Sequence, residues 1–196
     1  ITGLVLCGGQ SSRMGTDKGL IQKDGKTWAE IAHNKLTDLG IPVYVSVHSS
    51  QHHNYQDIFV PSTLIVDSLP LRGPLAGLLS AHQKLPQTDW LVLACDLPDM
   101  QPEVLKLLRQ QYTNAHGYDC FVFESEGEAE PLCGIYKAVG LQKILHLFQQ
   151  NELPKHSMKY VLDVCRTYLI PLPDDFKTTF QNYNAPEDLG RRGFGV

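Results

Sequence analysis

The sequence predicts an α/β fold built around a mainly parallel sheet. Three observations carry that prediction. Short apolar runs alternate with amphipathic stretches at helical spacing, the first run empties directly into a glycine pair, and polar residues follow the ends of successive runs. Alternation of this kind makes right-handed βαβ units, in which each strand reaches the next through a crossover helix and so lies parallel to it.

Strands are expected at Gly3–Cys7, Val43–Val47, Leu64–Val66, Trp90–Ala94, Cys120–Glu124, Leu132–Tyr136 and Thr167–Ile170. Thr27-x-x-Glu30 is a capping box and opens a helix that Gly40 and Pro42 close. Pro74 to Leu85 is a second helix, with Leu75, Leu78 and Leu79 near helical spacing. Pro102 to Tyr112 and Ala138 to Gln150 are two more, and Asn184-x-x-Glu187 caps a short last one with Pro186 in its first turn. Neither repeats nor linkers divide the chain, so one domain is expected over residues 1–196, with a nucleotide-binding part over about 1–119 and an acceptor-binding part over about 120–196.

Bulk properties exclude several classes. The 196 residues suffice for one full core, and a 42% hydrophobic, 19% charged composition is that of a globular chain. A net charge of −4 argues against a nucleic-acid or anionic-membrane partner. The sequence has no apolar run of membrane-spanning length and no leader before the first strand, and its five cysteines are scattered without a C-x-x-C. Reduced, mostly buried thiols in a cytoplasmic protein are therefore expected, with no zinc site. His52-His53 reads as part of a solvated loop.

Residues Leu4 to Leu20, LVLCGGQSSRMGTDKGL, carry the strongest signal. Gly8-Gly9 permits close backbone approach, so that successive N–H groups can converge on an anion; Ser11 and Ser12 add hydroxyls, and Arg13 and Lys18 add the charge that a triphosphate needs. Five residues separate Gly9 from Gly15, and Lys18 comes two residues too late, so this is not a P-loop; nor is it the G-x-G-x-x-G of dinucleotide folds. The segment resembles the nucleotidyltransferase signature L-x-x-G-x-[SG]-x-R-M-G-x-x-K, and its double glycine resembles the molybdenum cofactor guanylyltransferases, the MobA family. The resemblance implies a Rossmann-like three-layer nucleotidyltransferase fold. It also implies nucleotide contacts from Leu6, Cys7, Gly8, Gly9, Ser11 and Ser12, with Arg13 and Lys18 gripping the triphosphate.

Ligands of such sheets bind beyond the carboxyl ends of the strands. Asp96, at the end of the Trp90–Cys95 run, suits a hard cation such as Mg²⁺, which takes one or two carboxylates together with phosphate oxygens. The neighbouring Asp99 reads instead as a cap for the helix near Pro102. Asp67 follows Leu64–Val66 and could accept from a ribose or from guanine's N1–H and amine. Gly73-Pro74-Leu75-Ala76-Gly77 resembles a run of the same family; Gly73 and Gly77 would leave room for a base or sugar, or Gly77 would serve close helix packing, and Arg72 would touch a phosphate or pterin. Asn182-Tyr183-Asn184-Ala185-Pro186-Glu187-Asp188-Leu189 resembles the family's N-x-N-[TS]-P-E-[ED]-L and departs from it at Ala185. Asn182 and Asn184 are candidates to complete the metal site with Asp96. Ser46 to His48 stand where the family usually has an asparagine, and Ser46 is counted among the nucleotide-binding residues. Lys155 and Lys159, beside His156, lie where the family faces its pterin with arginines.

The resemblance implies transfer of GMP from GTP to molybdopterin or its metal-loaded form, with Mg²⁺ and release of pyrophosphate. It places molybdenum insertion proteins and molybdoenzyme chaperones among the partners. A phosphate monoester, with a second pKa near ~6, attacks without a general base, and the sequence supplies no Ser-His-Asp or Cys-His set. A cytidylyltransferase on the same or another phosphorylated acceptor, and a catalytically silent nucleotide-binding partner, are the alternatives. Gly9→Val is expected to weaken nucleotide binding more than Gly19→Ala, because a side chain at Gly9 would occupy the phosphate's path.

Overall fold

The computed structural model describes residues 1–7 and 17–180. In chain order its elements are β1 (Thr2–Leu6), a hairpin of β2 (Gln22–Lys23) and β3 (Lys26–Thr27), α1 (Trp28–Thr37), β4 (Val43–Val47), α2 (His52–Tyr55), β5 (Leu64–Val66), α3 (Pro74–Lys84), β6 (Trp90–Ala94), α4 (Pro102–Asn114), β7 (Cys120–Ser125), β8 (Glu128–Tyr136), α5 (Ala138–Gln149), α6 (Met158–Val164) and β9 (Thr167–Pro171). All seven expected strands are present, and the expected helices within the described residues form to within two residues at either end. The expected helix after Asn184 lies outside the described residues.

Seven strands form one sheet in the order β5-β4-β1-β6-β8-β7-β9. Every pairing is parallel except those of β8, which runs antiparallel to both β6 and β7. Burial on both faces explains the continuous apolar runs of β1 and β6. One face carries α1 and α4 over Val5, Val45, Leu91, Leu93 and Phe121; the other carries α3, α5 and α6 over Leu4, Trp90, Val92 and Val122. The result is the expected three-layer α/β architecture.

Local chemistry accounts for the element ends. Thr27 Oγ1 accepts from Glu30 N–H at 3.2 Å while the Glu30 carboxylate accepts from Thr27 N–H at 2.8 Å, so the capping box is complete. Gly73, at φ 74° and ψ −166°, precedes Pro74 in the first turn of α3; this positive φ, not crowding, demands the glycine. The β7–β8 hairpin was not foreseen as one. Its turn residues, Glu126 and Gly127, have φ 54° and 80°, the two positive values of a primed turn. The segment ESEGEAE hides them because neither flank alternates apolar with polar. His52 and His53 open the short α2 instead of lying in a loop, since Tyr55 and Phe59 beyond them are buried.

Three features point towards one edge of the sheet. The β7–β8 register jumps from Val122↔Gly134 to Phe123↔Glu130, a bulge midway along β7. Tyr136 Oη donates to Pro131 O across it at 2.6 Å. On the other flank Ser68 N–H donates to Ser80 Oγ at 2.9 Å and ties the end of β5 to α3.

All five cysteines are buried and free. Among the described residues no helix is long and apolar enough to cross a membrane.

His82 on α3 is fully buried, with Nε2 3.4 Å from Gln142 Oε1 of α5. Burial holds its pKa below the ordinary 6.5, and half-buried His33 is shifted the same way. A histidine kept neutral on folding leaves the unfolded chain binding more protons below 6.5, so its stability contribution is complete above that pH and is lost on acidification. Urea midpoints measured from pH 7.5 to 5.5 should therefore fall, and His82→Gln should flatten that slope.

Candidate active site

β1 and β6 are neighbours, yet their connections leave in opposite directions: β1 leads through α1 to β4 on one side, and β6 through α4 to β7 on the other. That is the topological switch point at which open α/β sheets bind ligands. At its carboxyl end Lys18 Nζ donates to Asp96 Oδ2 at 3.0 Å, with side chains 17% and 18% exposed. Residues 78 apart in sequence thus meet where a triphosphate and a cation were expected.

Each partner is held by its own support. Asp17 caps the turn Lys18–Leu20: its Oδ1 accepts from Gly19 N–H at 3.0 Å and from Tyr55 Oη at 2.9 Å. Burial pushes the Asp17 carboxyl up, which the two hydrogen bonds partly offset, and pushes the Tyr55 phenol far up. Tyr55 therefore remains a donor to the carboxylate. Asp96 begins a loop in which Leu97 and Met100 are buried, Lys23 Nζ bonds Asp99 Oδ1 at 2.6 Å, and Lys35 Nζ donates to Pro98 O at 2.5 Å. Asp99 is thus engaged by Lys23, and the residue preceding α4 is Gln101, which makes no side-chain cap; the capping expected of Asp99 is corrected by this ion pair.

The fit to a divalent cation can be tested on Asp96 itself. Its Oδ1 is buried and has no hydrogen-bond partner among the described residues. Such an oxygen is costly to leave unmatched, and a hard cation would satisfy it. Among the described residues no group of three or more His, Cys, Asp or Glu is placed to hold a metal ion, so a cation at Asp96 would need oxygen ligands from elsewhere. The donor set fits. Asn182 and Asn184 lie outside the described residues, as do Gly8, Gly9, Ser11, Ser12 and Arg13.

A second carboxylate stands at the end of β5. Asp67 Oδ1 accepts from Ser46 Oγ at 2.9 Å, and Asp67 N–H donates to Val47 O at 3.0 Å. Burial raises the Asp67 carboxyl; the Ser46 bond and His48 oppose that shift. Ser46 is fully buried, and its hydroxyl is given to Asp67. Gly77 is buried against it: a Cβ there would stand 2.2 Å from Ser46 Oγ, so this glycine permits close packing of α3 on β4. Leu6 and Cys7 are likewise core side chains, and Cys7 N–H is already given to Ser46 O.

The basic residues assigned to an acceptor are less converged. Arg72 and Gly73 are exposed beside α3, and Lys155 is exposed before α6. Lys159 is ion-paired with Glu128 and lines a cavity of about 220 Å³ with Thr167 and Leu169. Tyr55, Lys23 and Lys35 escaped the sequence reading. Only a lysine on an otherwise apolar helix face and a tyrosine in a polar segment marked them.

Gly19 is packed tightly: a Cβ would lie 2.1 Å from Tyr55 Oη. Gly19→Ala should cost about 1–3 kcal/mol in chemical denaturation, as overpacked sites do. Tyr55→Phe should recover part of that loss in the double variant, because the crowding atom is the hydroxyl.

Comparison with known proteins agrees with this geometry. The family described as "MobA-like NTP transferase domain" matches residues 3–163. The chain is 33% identical over 189 residues to a molybdenum cofactor biosynthesis bifunctional protein of Synechocystis, covering 96% of this chain and 52% of that longer protein. It is 31% identical over 188 residues to a probable molybdenum cofactor guanylyltransferase of Methanothermobacter thermautotrophicus, covering 94% of this chain and 95% of that one. In fold it resembles a molybdopterin-guanine dinucleotide biosynthesis protein A from Archaeoglobus fulgidus, with a TM-score of 0.79, 22% identity, and coverage of 97% and 96% of the two chains. With the family match spanning most of its length and the Lys18–Asp96 pair at the switch point of the sheet, the chain belongs to the MobA-like NTP transferases.

Proposed function

We propose that this protein is a guanylyltransferase that moves GMP from GTP onto the terminal phosphate of molybdopterin or its metal-loaded form. The single observation that carries the reading is the Lys18–Asp96 pair at the carboxyl ends of β1 and β6. The names of its relatives supply the nucleotide and the acceptor.

In this reading Gly8, Gly9, Ser11, Ser12 and Arg13 cradle the triphosphate, and Lys18 turns from Asp96 to its phosphate oxygens. The acceptor phosphate attacks the α-phosphorus, and the bond to the β,γ-pyrophosphate breaks. The attacking monoester carries its charge near neutral pH, so the site needs position and charge neutralisation more than a base. Mg²⁺ held by Asp96, with Asn182 or Asn184 completing its ligands, would offset charge on the transferred group. Asp67, held by Ser46, would take guanine's N1–H and amine or a ribose hydroxyl. The first 119 residues would then hold the nucleotide, and the remainder, with Arg72, Lys155 and Lys159, would meet the acceptor.

Lys18→Ala should cut pyrophosphate release at least ~10²-fold, the equivalent of about 3 kcal/mol in the barrier, while the circular dichroism spectrum stays that of the parent. Turnover near the parent's would remove Lys18 from the site. Asp96→Asn should lose a similar factor and raise the magnesium needed for half-maximal rate; an unchanged metal requirement would place the ligand elsewhere.

In competition between equal GTP and CTP with molybdopterin as acceptor, GTP should win by at least roughly tenfold, about 1.4 kcal/mol. A preference for CTP would make this a cytidylyltransferase. Absence of pyrophosphate release with any nucleotide would make it a binding partner without catalysis.

A further inference from the structure

Lys35 is a costly residue where it stands. It lies on α1 between Ala32 and Leu36, which are buried in the core, and is itself half-buried. Burial lowers its pKa to about 8; Asp99 opposes that shift and Lys23 adds to it. A lysine paying this desolvation without a direct carboxylate bond among the described residues needs another reason to be there.

Its ammonium reaches across from α1 to the loop after β6 and donates to Pro98 O at 2.5 Å. Pro98 is two residues beyond Asp96 and has no N–H, so its carbonyl is the one backbone handle it offers. On the next residue Lys23, from the β2–β3 hairpin, grips Asp99 at 2.6 Å. Leu97 and Met100, on either side, are nearly inaccessible, and Met100 N–H bonds Leu97 O at 3.1 Å. The loop is thus pinned by two apolar side chains inward and by two cations from different elements. The group that this fixes is Asp96, whose Oδ1 lies buried without a partner among the described residues.

We propose that Lys35 is a positioning residue for the metal-binding carboxylate: by holding Pro98 O it sets Asp96 for a divalent cation, with Lys23 on Asp99 as the second half of the clamp. This rests on the reading of Asp96 as a metal ligand. The mechanism is preorganisation. A carboxylate whose backbone is already fixed loses less freedom when the ion binds, so loosening the clamp should appear in metal affinity before it appears in nucleotide affinity.

The test uses the full chain and the variants Lys35→Met, which keeps length and apolar stem without the charge, and Lys35→Arg. Binding of Mn²⁺ alone is followed by the loss of the free-ion electron paramagnetic resonance signal. The magnesium dependence of pyrophosphate release is measured at saturating GTP. Lys35→Met should weaken Mn²⁺ binding and raise the half-maximal magnesium concentration, each about tenfold, while KM for GTP at saturating metal stays within about twofold. Lys35→Arg should restore at least half of the loss. Unchanged metal constants in Lys35→Met, or a fall in kcat alone, would overturn the proposal, because a purely structural lysine would leave metal affinity alone. Should Lys35→Met fail to fold, Asp99→Asn releases the same loop from Lys23, and parent-like metal constants there would overturn it equally. A parent protein that binds Mn²⁺ but releases no pyrophosphate would defeat the guanylyltransferase reading and leave the clamp standing.

Discussion

A lysine and an aspartate 3.0 Å apart, both mostly withdrawn from water, set the problem that the rest of this structure solves. Attraction between such charges is offset by what each loses in hydration, so a pair of this kind is weak evidence for stability. It persists because the backbone delivers its two members to one place. Lys18 arrives from a turn after β1, and Asp96 ends β6, the strand beside β1. Parallel pairing in register, Leu6 opposite Ala94, brings both carboxyl ends level. The hydrophobic burial of β1 and β6 on both faces is therefore also what fixes the charged site.

Around the pair the fold spends several buried polar interactions on orientation. Tyr55 gives its hydroxyl to Asp17, Ser46 gives its hydroxyl to Asp67, and Lys35 gives its ammonium to Pro98 O. Each donor comes from an element other than the one it steadies. Each acceptor lies on a segment directly beyond a strand or beside Lys18. Burial raises Asp17 and Asp67 together, and at both carboxylates these donors oppose that shift. Small residues share the task. Gly19 gives room to the Tyr55 hydroxyl and Gly77 to that of Ser46, which is why side chains at either position would collide with an oxygen.

The parts of this arrangement that were legible in the sequence are those written locally. The capping box at Thr27, the Gly-Pro start of α3 and the fully apolar runs of β1 and β6 each state their structure within a few residues. Asp96 and Asp67 were legible for a related reason: a carboxylate directly after a buried strand stands at the ligand edge of a parallel sheet. The supporting residues were not legible, because Tyr55, Lys23 and Lys35 act over separations of 38, 76 and 63 residues. Gly77 was legible as either a ligand-facing or a close-packing glycine, and its contact with Ser46 was not, because only the packing of α3 on β4 brings the two face to face. The antiparallel β8 was seen as a strand but not as half of a hairpin, since its positive-φ turn sits in a run of glutamates.

The antiparallel strand also bears on how a second substrate could approach. With β8 reversed between β6 and β7, the strand next to Asp96 enters the sheet from the ligand edge instead of ending there. Its pairing with β6 ends at Leu93↔Cys133, three residues short of Asp96, and its pairing with β7 skips from Gly134 to Glu130. Between these points Pro131 cannot donate to a ladder, and its carbonyl is taken by Tyr136. The backbone there is consequently satisfied without a neighbouring strand, so the β7–β8 hairpin can project past the sheet without exposing unpaired groups at the bulge. A parallel strand in the same position would have closed the sheet edge up to Asp96. The reversal instead sets the start of β8 and the β7–β8 turn at the carboxyl edge of the sheet, and the proposed division of the chain at about residue 119 falls just before that hairpin begins.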